Sequence, residues 1–260
     1  PALDSTYAQD AIETARALIG KVGGALCDGP VLGTHVYRGV NYSFRDNAAR
    51  TECLMFKQSV TGWVQIALGS RLLFTSGGGA YEPVVGDIIT GAISGATATI
   101  TKVIIQSGTM AGGTAAGYFI FASQTCTYQA ENIDVGVNLN VATIASDSAL
   151  NTLAPGGRFE FRNYNFYGTS SSYRMYGVDG VSLAFEFDGN IFAPIITGNT
   201  NDTPTHLEIN EYHLMLCFEN GSLQCSDSLS PFVWAGGEAA EIGTGDELIG
   251  LRKEVGGAMF

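Results

Sequence analysis

The sequence predicts an all-β fold: propeller-like repeated four-stranded antiparallel blades, with a small inserted β-barrel and one N-terminal helix. Three observations carry this. Helical periodicity ends by residue 22, and short runs of alternating apolar residues bounded by turn residues take over from Gly29–Pro30. Hairpin-like segments then recur at roughly 40 residues, the range of propeller blades. Composition agrees, because 34 of the 260 residues are glycine and only 15% are charged, a profile of many turns and few exposed helices.

Residues 1–30 are expected to hold the helix and a linker. Ala8, Ala11, Ile12, Ala15, Leu18, Ile19 and Val22 recur at three- and four-residue steps with Asp10, Glu13 and Arg16 between them, which predicts a helix over roughly 6 to 22. Gly20, Gly23 and Gly24 end it. Over 31–79 the runs VLGTHVY, VNYSFRD, ECLMFKQS, WVQIAL and RLLFTSG predict the strands of a meander. The segments at 34–47, 173–189, 213–227 and 249–260 align on their central turns RG, DG, NG and GG, with Gly180, Gly221 and Gly257 roughly 40 residues apart. Residues 80–148 interrupt this period. They contain a doublet, YEPVVGDIITGAISGATATI (81–100) and YQAENIDVGVNLNVATI (128–144), which predicts a small barrel inserted in a blade loop and separable from it, with SGGGA (76–80) as a linker. Blades resume over 149–260. The last unit reaches Phe260 in mid-hairpin, so its completion is expected from further chain or from a neighbour.

Thirteen basic and 25 acidic residues leave a formal charge of -12, which argues against a surface that grips nucleic-acid phosphates or anionic lipid. No apolar run approaches the ~18 residues of a membrane helix, and no secretion signal opens the chain, so membrane insertion is not expected. Cys27, Cys53, Cys126, Cys217 and Cys225 form no CxxC pair and are expected as small core residues. Cys217 and Cys225 flank the Asn220–Gly221 turn closely enough to be candidates for a cross-strand disulfide, although reduced thiols are favoured.

Candidate chemistry is sparse. His35, His206 and His213 form no HxH or HExxH, no GxSxG nucleophile motif occurs, and no GK[ST] follows the glycine run. Neither catalytic residues nor a cofactor are therefore expected. Asp179, Asp188 and Asp202 sit in turns rich in Gly or Asn, where carboxylates can hold a calcium ion, but Asp is also an ordinary turn former. Phe159, Phe161, Tyr164, Phe166, Tyr167, Tyr173 and Tyr176 crowd one stretch. Alternation in RFEFRNYNF puts Phe159 and Phe161 on one face and Glu160 and Arg162 on the other, which favours packing between blades over a sugar platform.

The segments GTHVYRGVNYSFRDN, TGWVQIALGSRLLFTSG, VVGDIITGAISGATATITKV, RMYGVDGVSLAFEFDG, HLMLCFENGSLQCSDSLSPFVW and EIGTGDELIGL resemble propeller-type structural proteins of tailed bacteriophages, in particular tail hub or nozzle proteins. The phrase GDIITGAISGATATI is similar to a small β-module of phage virion proteins. NGSLQCSDSLSPFVW, which contains Trp234, resembles the stretch of nozzle-type proteins where a blade strand ends and a Pro–aromatic–Trp turn follows. The resemblance implies a virion tail protein made in the host cytoplasm and assembled as a ring of identical subunits, a hexamer. It also implies contacts with other tail or adaptor proteins, transient passage of DNA without specific binding, and further blades beyond Phe260. It brings no catalytic residue. Two alternatives stay open: a receptor- or glycan-binding tail protein, and a propeller glycosidase, which needs two carboxylates facing each other across about 5 to 10 Å.

Overall fold

The computed structural model describes residues 5–18, 29–60, 62–254 and 257–259. Helix α1 spans Ser5–Leu18; the remainder of the expected helix, and Cys27, lie outside the described residues. Among the described residues from Val31 onward, every regular element but a single 3₁₀ turn at Ser170–Ser172 is a strand, and the architecture is the propeller-like all-β one expected.

The first sheet is a meander of β1 (Val31–Tyr37), β2 (Val40–Asp46), β3 (Cys53–Ser59) and β4 (Gly62–Gln65). Its first turn is Arg38–Gly39, with φ of 50° and 74°, the left-handed pair that a two-residue hairpin needs to follow strand twist. A second meander comprises β13 (Glu160–Tyr164), β14 (Arg174–Val178), β15 (Phe185–Phe187) and β16 (Phe192–Pro194). A third comprises β17 (His206–Asn210), β18 (His213–Cys217), β19 (Ser222–Cys225) and β20 (Ala240–Gly243), and a two-stranded sheet of β21 (Arg252–Glu254) and β22 (Gly257–Met259) follows.

Strands β1, β13, β17 and β21 pack side by side in chain order, as the leading strands of propeller blades do. The spacing along this row is regular. Glu160 and His206 open β13 and β17 at an interval of 46 residues, and Arg252 opens β21 after the same step. The turns used to align the segments are not equivalent. Arg38–Gly39 joins the first and second strands of its sheet, whereas Asp179–Gly180 and Asn220–Gly221 lie between the second and third strands of theirs. The third sheet's counterpart of Arg38–Gly39 is Glu211–Tyr212, with φ of 45° and 74° and no glycine to mark it.

The inserted module also differs from its expected limits. Strand β5 (Ser70–Gly77) pairs with β9 (Ala115–Phe121), with β11 (Asn138–Ile144) and with β12 (Ala149–Leu150). A boundary at 79/80 therefore cuts through one sheet, whose remaining strands are β6 (Ile88–Gly91), β7 (Thr97–Thr99), β8 (Lys102–Ser107) and β10 (Glu131–Val135). β7 and β8 are one stretch that bends at Ile100–Thr101. Ile100 N donates to Asp87 O and Thr101 N to Ile120 O, so the first half pairs β6 and the second β9, and the sheet curls on itself. Leu72, Phe74, Ile89, Phe119, Ile133 and Val141 fill its interior. The SGGGA stretch is not a free linker: Ser76 and Gly77 end β5, Gly78 N donates to Val141 O and Gly79 N to Met110 O.

The module is not held at arm's length. Ile104, Tyr118 and Ile120 share a core with Tyr176, Val178, Ala193 and Ile195 of the second meander and Leu207 and Leu216 of the third, and the Tyr118 hydroxyl donates to Pro194 O. That buried hydroxyl is held well above its ordinary pKa by burial, with the nearby Glu186 carboxylate adding to the effect. Separability therefore does not follow from the sequence period.

Candidate functional site

The groups with chemical potential converge on the row of leading strands. One face of β13 meets the first meander. Phe159 stacks on Phe44 at a ring distance of 4.4 Å and Phe161 packs on it at a tilt at 5.1 Å, and His35 lies nearly flat on Phe161 at 4.8 Å. His35 Nε2 donates to Asn163 Oδ1 (2.9 Å), whose amide donates to Val36 O (2.9 Å). Gly33 permits this approach, because a β-carbon there would stand 2.5 Å from Cβ of Phe159.

The other face of β13 meets the third meander through charge. His206 Nδ1 donates to Glu160 Oε1 at 3.0 Å, and Arg162 grips both oxygens of Glu208 at 3.0 Å. Glu208 also accepts from Ile209 N (2.9 Å) and, across to β21, from Lys253 N (3.4 Å). Burial alone would raise its pKa, but the Arg162 bonds and these amides hold it below the ordinary carboxylate value. The face division anticipated in RFEFRNYNF is thus present, with one face packing on rings and the other pairing charges.

The remaining aromatics divide between cores. Tyr164, Phe166 and Tyr176 belong to the core shared by the second and third meanders, with Phe166 edge-on to Tyr176 at 5.3 Å. Tyr173 stacks on Tyr37 at 6.3 Å and remains exposed. Trp234 packs at the rim of that shared core, its indole donating to Pro231 O (3.0 Å).

The three turn aspartates stay apart. Asp179 accepts from Val181 N, Ser182 N and Ser182 Oγ at 2.6–3.0 Å, Asp188 from Asn190 N and Ile191 N, and Asp202 from Thr197 N and Oγ1. Each carboxylate ties its own turn, and among the described residues no group of three or more His, Cys, Asp or Glu is placed to hold a metal ion. Cys217 pairs with Leu223 and Cys225 with Met215, so the four-residue turn moves the two thiols out of opposition. Both are free, and burial pushes the Cys217 thiol up to about 12.

One constellation escaped the sequence. Glu186 on β15 is fully buried. Its carboxylate accepts from Lys102 Nζ of the curled sheet, Tyr176 OH (2.5 Å) and Tyr167 OH (2.9 Å), with Arg174 Nε 3.7 Å away. Burial, then the nearby carboxylate, drives both tyrosine hydroxyls far above their ordinary pKa, so they keep their protons and act as donors to Glu186. The available signal was a charge between phenylalanines in Phe185–Glu186–Phe187, but its partners come from positions 84 residues upstream to 10 upstream, and no spacing rule links them.

No family model matches this chain, and neither does any curated protein. Among solved structures, the computationally designed Ika8 protein, crystallised in P63, is similar at 9% identity and a TM-score of 0.27, over 91% of this chain and 68% of that one.

Proposed function

We propose that this chain is a structural component of a bacteriophage tail, a hub or nozzle ring through which DNA is ejected, acting by oligomeric assembly. The phrases quoted above support the tail origin. The observation that carries a mechanical reading is the row of leading strands, in which His35, Glu160, Arg162, His206 and Glu208 join one sheet to the next. Side chains that an enzyme would hold ready for substrate here hold strands together. A net charge of -12 suits a conduit that must not retain phosphate. The glycan-binding reading has less support, since most of the aromatic cluster is divided between two cores, leaving Tyr167 and Tyr173 as its exposed members.

Electron microscopy of the assembled particle tests the proposal. A ring of identical subunits coaxial with the tail is the expected result; a peripheral spike or fibre overturns it in favour of receptor binding.

A further inference from the structure

A pocket of about 420 Å³ opens where β8, the Tyr167–Arg174 region and the turn at Leu229–Val233 meet. Three segments distant in sequence build it, and its volume falls in the range of small-molecule sites, which favour such junctions. Its walls are apolar: Val103, Ile105, Leu229 and Phe232 line it, with Ile105 and Leu229 exposed. Lys102 and Arg174 supply its charged part, their side chains less than one-fifth exposed, with Ser172 and Ser230 beside them.

The charges do not balance. Two cations stand against one carboxylate, Glu186, behind the pocket wall. Glu186 is already occupied by Lys102 and two tyrosine hydroxyls. Arg174 shares that carboxylate only at 3.7 Å from its Nε, beyond hydrogen-bond reach, while its Nη1 donates to the carbonyls of Ser171 and Tyr173 and its guanidinium lies over the Tyr167 ring. In a chain of net charge -12, two partly buried cations that share one carboxylate thus stand beside apolar surface. Desolvation strengthens their attraction for an anion, and two cations against one carboxylate match a monoanion better than a phosphate dianion.

We infer that this pocket binds a small monocarboxylate with an apolar body, its carboxylate toward Arg174 and Lys102 and its body against Ile105, Leu229 and Phe232. The site is independent of the tail assignment and can be occupied whether or not the chain forms a ring.

The test titrates the full chain with 3-phenylpropionate and with its neutral isostere 3-phenylpropionamide, followed calorimetrically and by ligand-observed NMR. A hydrogen bond to a charged group should make the acid at least tenfold tighter than the amide. Leu229 has φ of 56°, a conformation that Asp and Asn adopt more readily than Leu, so Leu229→Asp and Leu229→Asn should both fold. The Asp variant places a like charge at the pocket and should weaken the acid more than tenfold, while the Asn variant should keep most of its affinity. Equal binding of acid and amide, absence of acid binding, or equal behaviour of the Asp and Asn variants would overturn the proposal.

Discussion

Glu186 shows how one side chain can decide a junction. It joins the curled sheet through Lys102 to the second meander through Arg174, Tyr167 and Tyr176. Removing one member of a buried pair leaves an uncompensated charge, so Glu186→Ala should lower stability by about 3 kcal/mol in urea unfolding. Lys102→Met with Glu186→Gln should cost clearly less than the sum of the single changes, which a double-mutant cycle would read. Glu208 predicts a pH dependence. Its folded pKa lies below the ordinary 4.5, so its contribution is present above that value and is lost as pH falls through the depressed one. Asp179 and Asp202, raised by burial, have the opposite sign, and their protonation relieves a cost as pH falls. The stability gap between the native chain and Glu208→Gln should therefore be about 1 kcal/mol at neutral pH, limited by the partial exposure of Arg162, and should shrink steadily below pH 4.5. A gap independent of pH would show that the carboxylate charge is immaterial there.

Individual elements were legible where local chemistry determines them. The Arg38–Gly39 hairpin, the strand alternation of β13 and the helix near the N-terminus could be read from residue type and spacing, because turn geometry and face alternation are local. Strand β5 was not. RLLFTSG reads equally well as the last strand of a meander or the first of the next sheet, and its partners β9 and β11 lie far along the chain. Its membership yields a prediction: amides of 70–77 should exchange with solvent together with those of 115–121, not with β1 to β4. Excising 80–148 should leave β5 with only the two-residue β12 as a partner and expose Tyr176 and Ile195, and the product should lose cooperative thermal unfolding. Gly33→Ala tests the close approach of β1 and β13. With Phe159 already in the way, it should destabilise by about 1–3 kcal/mol, chiefly in the first meander as monitored by exchange at 41–46.

On the scale of the whole molecule, the sequence indicated blades but not how they are joined. The row β1, β13, β17, β21 arises from side-chain contacts among strands that belong to four different sheets, and its 46-residue step is masked by unequal loops. The candidate site was legible only in part. Phe159, Phe161, Glu160 and Arg162 could be sorted to faces by alternation, whereas Glu186 with Lys102 required the folded sheet. The insertion between the first and second meanders also has a consequence in time. His35 and its partner Asn163 are 128 residues apart, which at ribosomal speed is roughly 6 to 26 s of synthesis. For that interval the apolar face of Tyr42, Phe44 and Met55 stands uncovered on a growing polypeptide, so the first meander should be a client of nascent-chain chaperones until the second one emerges.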